Sequence, residues 1–186
     1  MTTTVRRVPY AYLPVELSRG RVLRGRIEAG WSDLLDRGDF TLGKRVEGFE
    51  AAFASAVGAP HAVGLRSGTD ALALAIIGLG LGHQPHARRC NCELKRIAVP
   101  VNTFYASVGA ILQAGAWPVL VDVDEEYLID LRQARKLWKT GAIDALMPVC
   151  LTGNPVEIPS GMFDDMPIIH DAAQAIGAEI NGRKIG

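Results

Sequence analysis

Four short apolar runs recur along the second half of this chain: Ile97-Ala98-Val99-Pro100, Pro118-Val119-Leu120-Val121-Asp122-Val123, Ala145-Leu146-Met147-Pro148-Val149 and Pro167-Ile168-Ile169. Short apolar runs rich in β-branched residues predict buried strands. The stretches Phe104 to Ala114 and Leu131 to Lys139, which separate the first three runs, carry helical patterns. Strands alternating with helices predict an α/β fold, a mostly parallel, doubly wound sheet flanked by helices. Ligands on such sheets bind beyond the carboxyl ends of the strands. Ser67, Asn102, Asn154 and Asp171 all lie just past predicted strand ends, so the topology predicts that they are neighbours.

Upstream of these runs the pattern is more mixed. Residues 1–40 hold Pro9, Pro14 and several arginines, and read as an irregular arm with one short helix over 18–37. From Lys44 the spacing of Val46, Phe49, Ala52, Phe53 and Val57 predicts a helix that Gly58-Ala59-Pro60 ends. His61 to Leu65 is expected to be a short strand. Ser67 is placed to cap a helix from Asp70 to Leu79, apolar nearly all round and therefore expected to be buried.

Composition excludes several function classes. The chain is 48% hydrophobic, ample for a core, and its formal net charge is zero. Nothing in that balance suggests nucleic acid or an anionic membrane as partner. No apolar run is long enough to span a bilayer. The opening Met1-Thr2-Thr3-Thr4-Val5-Arg6-Arg7 lacks the apolar core of a signal peptide. Three cysteines cannot all pair within one chain, so a reducing cytoplasm is expected. His83, His86, Cys90 and Cys92 supply zinc-type donors, but Cys-x-Cys is tighter than structural zinc spacing. That stretch is read as a basic surface insertion, with no metal expected. Arg132, Arg135, Lys136 and Lys139 form a solvated helix face.

Three constellations carry chemistry. Arg66-Ser67-Gly68-Thr69-Asp70 is a polar turn opening an apolar helix, where free N–H groups and the helix dipole attract an anion. An ordinary cap is the alternative there. Phe104 sits at a strand-to-helix junction, where an aromatic could lie flat on a planar ring; packing in the core is the alternative. Asp171 ends the run Pro167-Ile168-Ile169, with Gln174 three residues on. A buried carboxylate needs a cation or donors. The protonated ring nitrogen of pyridoxal 5'-phosphate (PLP) is one cation that fits, and a helix cap is the alternative.

In their order, these motifs resemble the PLP-dependent sugar aminotransferases of the DegT/DnrJ/EryC1/StrS family. The resemblance runs through Ser67-Gly68-Thr69-Asp70-Ala71-Leu72, Pro100-Val101-Asn102-Thr103-Phe104 and Gly115-Ala116-Trp117-Pro118 on to Asp124. It continues through Pro148-Val149-Cys150-Leu151-Thr152-Gly153-Asn154-Pro155 and Asp171-Ala172-Ala173-Gln174-Ala175-Ile176-Gly177-Ala178. It covers roughly residues 8–186. It implies the large-domain portion of PLP-dependent transferase fold type I, with an arm and helix over 1–40 and a partial PLP-binding large domain over 41–186. It implies that Ser67, Gly68 and Thr69 hold the PLP phosphate. Phe104 would stack on the ring, Asp171 pair with the ring nitrogen and Gln174 contact the ring hydroxyl. Gly43 would lie near the site, in a loop that meets a partner subunit. The implied enzyme is a homodimer that moves an amino group from glutamate to a nucleotide-linked keto sugar.

Three departures from the family pattern stand out. The family's PLP-linking lysine lies in a Ser-Phe-x-x-x-Lys-type motif beyond Asp171, and the chain is expected to end before it and before the C-terminal small domain. Lys184 matches the hairpin preceding that motif, so no catalytic residue is assigned. Gly82 to Arg96 is longer than the family's turn. Pro155 to Pro167, broken by Pro159 and Gly161, is too short for the family's helix. A lysine-free sugar dehydratase relative and a truncated, non-catalytic pseudoenzyme are the alternative readings.

Overall fold

The computed structural model describes residues 20–82 and 93–185. The arm before residue 20 and the His83 to Cys92 stretch, with its excluded zinc reading, lie outside the described residues. Two compact units are present, one up to Gly48 and one from Phe49 onward.

In the first unit, helix α1 (Arg21–Arg37) ends on Gly38, whose φ of 65° closes the last turn through N–H bonds to Leu34 and Leu35 carbonyls. Asp33 receives Arg37 and Arg45 at 2.8 and 2.7 Å. A side chain at Gly43 would meet the Asp39 carboxylate, which would have to swing aside to admit it. Helix α2 (Lys44–Val57) begins just after it.

The second unit is built on a parallel sheet. Strand β1 (Arg96–Pro100) pairs with β2 (Trp117–Val121) on one side and β3 (Ala145–Leu146) on the other. Helix α4 (Tyr105–Gln113) links β1 to β2, and α5 (Leu131–Lys139) links β2 back to β3. Asp130 starts α5 by accepting the N–H groups of Arg132 and Gln133 at 2.8 and 3.1 Å. The chain runs from β1 out to β2, then crosses back to β3. That reversal creates a switch point between β1 and β3, where the carboxyl ends open a crevice.

The fourth predicted strand, Pro167 to Ile169, forms only isolated parallel bridges, Leu146 to Ile168 and Val149 to Asp171. The predicted strand 145–149 is correspondingly cut to two residues. Pro148 has no N–H for the ladder, although its carbonyl accepts the Asp171 N–H at 2.9 Å. His61 to Leu65, expected to be a strand, is not one. Val63 and Leu65 are exposed, and no described segment pairs with them.

Period-2 alternation divides the core between the sheet's faces. Ile97, Val99, Ala145, Met147, Val149 and Ile169 face one way, with Leu72 and Ile76 of helix α3 (Gly68–Gly78) and Ala110 and Ile111 of α4. Ala98, Leu146 and Val121 face the other, with Ala134 of α5. There the 155–167 stretch forms no helix, as its prolines predict, yet Val156, Phe163 and Met166 fill the same core. Helix α3 is buried on one side only; Leu74 is exposed, against the expectation that it is buried all round. At the amino end, the Arg96 backbone N–H and guanidinium hold Asp144 Oδ2 at 2.8 and 3.2 Å. Desolvation alone would raise the Asp144 pKa; the Arg96 hydrogen bonds outweigh it and leave the carboxyl below its ordinary value.

Helix-free turns lead from Asp171 to a hairpin of β4 (Glu179–Ile180) and β5 (Arg183–Lys184). Asn181 and Gly182 have φ of 51° and 76°, the two positive values a two-residue hairpin turn demands.

Candidate active site

Parity places Asp171. Ile169 faces the α3 and α4 side of the sheet, so Asp171, two residues on, points the same way. The residue is 7% exposed. Oδ2 accepts the Ser107 hydroxyl of α4 at 2.7 Å. Among the described residues Oδ1 receives only the Ala173 N–H, at a long 3.4 Å. No helix follows, so Asp171 does not do the capping job the sequence allowed. Among the described residues no ion pair includes it. An ionised carboxylate held by one good donor is a costly thing to bury.

A cavity of about 510 Å³ opens in front of it. Its wall includes Gly68, Ala71 and Leu72 from the start of α3, Asp171, Ile176 and Lys184. Two expected site residues distant in sequence, Gly68 and Asp171, therefore share one cavity. A Cβ at Gly68 would meet nothing within 4 Å, so the space before this backbone is open. Lys184 donates to the Ala56 carbonyl at 2.7 Å. Desolvation pushes the neighbouring His170 imidazole below its ordinary pKa, although the residue as a whole is exposed.

Ser67 and Thr69 flank Gly68. Ser67 is the N-cap of α3, its Oγ accepting the Asp70 N–H at 3.2 Å and donating to Asp70 Oδ2 at 3.0 Å. The first backbone bond of this helix runs from Ala71 to the Ser67 carbonyl at 3.0 Å. The N–H groups of Gly68 and Thr69 precede it and remain available to an anion. Arg66 grips Asp70 through two nitrogens at 2.8 and 3.0 Å. That hydrogen bonding, then the one from Ser67, lowers the Asp70 pKa.

Phe104 and Gln174 lie outside the cavity's lining. Phe104 is the residue preceding α4 and is 59% exposed, so the core-packing reading does not describe it. Gln174 is exposed too. Sequence reasoning did not single out Ser107, a buried hydroxyl on the apolar face of α4 that reaches Asp171. Its signal was one polar residue four positions after Thr103, whose hydroxyl donates to it at 2.9 Å. Cys150 is buried and free, and desolvation raises its thiol pKa, which keeps it protonated and unreactive.

A partial doubly wound sheet with a buried carboxylate at its carboxyl edge defines the large-domain portion of a fold-type-I PLP-dependent transferase. The chain belongs to the DegT/DnrJ/EryC1/StrS aminotransferase family, whose model matches residues 23–186. It is 37% identical over 168 residues to a UDP-N-acetyl-3-dehydro-alpha-D-glucosamine 3-aminotransferase of Acidithiobacillus ferrooxidans, covering 88% of this chain and 43% of that protein. It is also 37% identical over 185 residues to the dTDP-3-amino-3,4,6-trideoxy-alpha-D-glucose transaminase of Streptomyces venezuelae, covering 97% of this chain and 45% of the relative. The solved structure of S. venezuelae DesV, in complex with a ketimine intermediate, superposes with a TM-score of 0.84 at 37% identity, over 98% of this chain and 47% of that one. An E. coli GDP-4-keto-6-deoxy-D-mannose-3-dehydratase with bound hydrated PLP matches with a TM-score of 0.69 at 27% identity, over 83% of this chain and 40% of that one. The chain thus spans less than half the length of these relatives. Among the described residues no helix is long and apolar enough to cross a membrane.

Proposed function

We propose that this chain supplies the cofactor-binding part of a PLP-dependent enzyme that moves an amino group from an amino acid, glutamate, to a nucleotide-linked keto sugar. The observation that carries this reading is Asp171, a buried carboxylate with one strong donor, no ion-pair partner among the described residues and an open cavity before it. A protonated pyridine nitrogen supplies the missing cation, and a dianionic phosphate suits the open N–H groups of Gly68 and Thr69. The residues present therefore fit PLP at two separate points.

In this reading Ser67, Gly68 and Thr69 hold the phosphate. Phe104 covers one ring face, Asp171 keeps the ring nitrogen protonated and Gln174 reaches the ring oxygen. Bound there, PLP supplies an electron sink for a carbanion. Asp171 maintains that sink by holding a proton at the ring nitrogen rather than by exchanging one with substrate. The sequence contains no Ser-Phe-x-x-x-Lys motif, so no residue of it is assigned covalent attachment. The similarity to a sugar dehydratase keeps a second reading in play, a relative that removes a hydroxyl instead of adding an amine.

The proposed setting is the cytoplasm, in keeping with a free buried thiol at Cys150. The proposed assembly is a homodimer. The exposed Phe104 and Tyr105 beside the site support a second surface completing it. Titrating the purified chain with PLP tests the reading: saturable binding that Asp171→Asn abolishes supports it, and binding indifferent to that change overturns it. Sedimentation of the same samples tests the dimer.

A further inference from the structure

We propose that Ser107 is a positioning residue for the cofactor site: its hydroxyl holds Asp171 Oδ2 and leaves Oδ1 as the oxygen that meets a protonated pyridine nitrogen. This inference rests on the PLP reading above. Ser107 is 0% exposed and shares the inward face of α4 with Ala110 and Ile111. Nothing but packing is required of that face, and an unbonded hydroxyl there would cost free energy. A buried helical serine often bonds back to a carbonyl of the preceding turn. Here the oxygen instead reaches out of the helix to Asp171 at 2.7 Å, the length of a charge-assisted bond.

The direction of donation follows from the partners. An ionised carboxylate only accepts, so Ser107 must donate to it. The Ser107 oxygen is then free to accept, and the Thr103 hydroxyl donates to it at 2.9 Å. The chain Thr103 to Ser107 to Asp171 is polarised one way, each bond strengthening the next. A carboxylate's terminal torsion is broad and nearly two-fold. Fixing Oδ2 removes that freedom and leaves Oδ1, with a single 3.4 Å backbone contact among the described residues, for incoming charge. Sites of this kind need their contact atoms held by a supporting hydrogen bond.

Pyridoxamine 5'-phosphate is the probe, because it keeps the ring and phosphate but has no aldehyde to react with surface lysines. With the ring nitrogen isotope-labelled, NMR reads its protonation and the titration gives Kd. Ser107→Ala is expected to weaken binding about tenfold, the worth of roughly one hydrogen bond to a charged group. The ring nitrogen resonance moves toward its unprotonated position. Ser107→Thr, which keeps the hydroxyl, restores both. If Ser107→Ala does not fold, Ser107→Cys, a weak donor of similar size, is expected to fall between wild type and Asp171→Asn. If Asp171→Asn changes both readouts while the Ser107 variants change neither, the positioning role is overturned and the cofactor reading stands. If Asp171→Asn changes neither readout, or the unaltered chain does not bind, the cofactor reading falls and this inference with it.

Discussion

The turn at Ser67 and the turn at Asp171 look alike in sequence, each a small polar residue after an apolar run and before small residues. In the structure they differ. Ser67 caps α3 and satisfies an amide that the helix leaves open. Asp171 caps nothing, and its charge is buried against one hydroxyl. The first turn stabilises the fold whether or not an anion binds. The second has no ion-pair partner among the described residues, and in the proposed reading a cation completes it. A polar residue that supports its own helix says little about ligand binding, whereas one held at a net cost points to what it is kept for.

That contrast breaks most sharply with Asp171→Asn. The amide oxygen can still accept from Ser107, while the charge is gone. Cofactor affinity is expected to fall about a hundredfold or more, the scale for losing one member of a buried ion pair. Without cofactor, stability should stay level or rise by about 1 kcal/mol, because an uncompensated charge leaves the interior. Denaturant unfolding and titration on one preparation measure both. A loss of stability above about 1 kcal/mol would assign Asp171 a structural role like that of Ser67 and dissolve the contrast.

Ser67→Ala should show the opposite sign in stability. The helix loses its cap, so stability falls by about 1 kcal/mol with or without cofactor, and Ser67→Gly costs only a few tenths. Cofactor affinity should fall by less than in Asp171→Asn, because Gly68 and Thr69 still present their N–H groups. Chemical denaturation of the two variants checks the order.

The same contrast explains what the sequence made legible. Helix α5 was readable over its full length because Arg132, Arg135, Lys136 and Lys139 give it a periodic polar face. The alternation of runs gave the parallel sheet, since period and connection length act locally. His61 to Leu65 was misread because a strand exists only with a ladder partner, which propensity does not reveal. The 145–149 strand was overextended because the bond that Pro148 cannot donate matters only once neighbours are in register. Motif order singled out Asp171 and Gly68 as candidates, and both line one cavity. Ser107 was hidden because a serine on an apolar helix face gains meaning only when the sheet brings Asp171 across from it.

The smallest effect concerns pH at the Ser67 turn. Hydrogen bonds from Arg66, then Ser67, hold the Asp70 carboxyl below its ordinary value near 4. A depressed folded-state pKa contributes stability that is present above the unfolded value and lost as pH falls through the folded one. The Ser67 turn should therefore lose part of its stability below about pH 4, and Asp70→Asn should flatten that portion of the acid limb. Arg66 is 85% exposed, so solvent screens this pair and moderate salt should shrink the difference. Unfolding measured from neutral pH into acid, at low and high salt, reads it. An acid limb unchanged in Asp70→Asn would mean that the Ser67 cap alone secures the start of α3, and that the Arg66 grip is incidental.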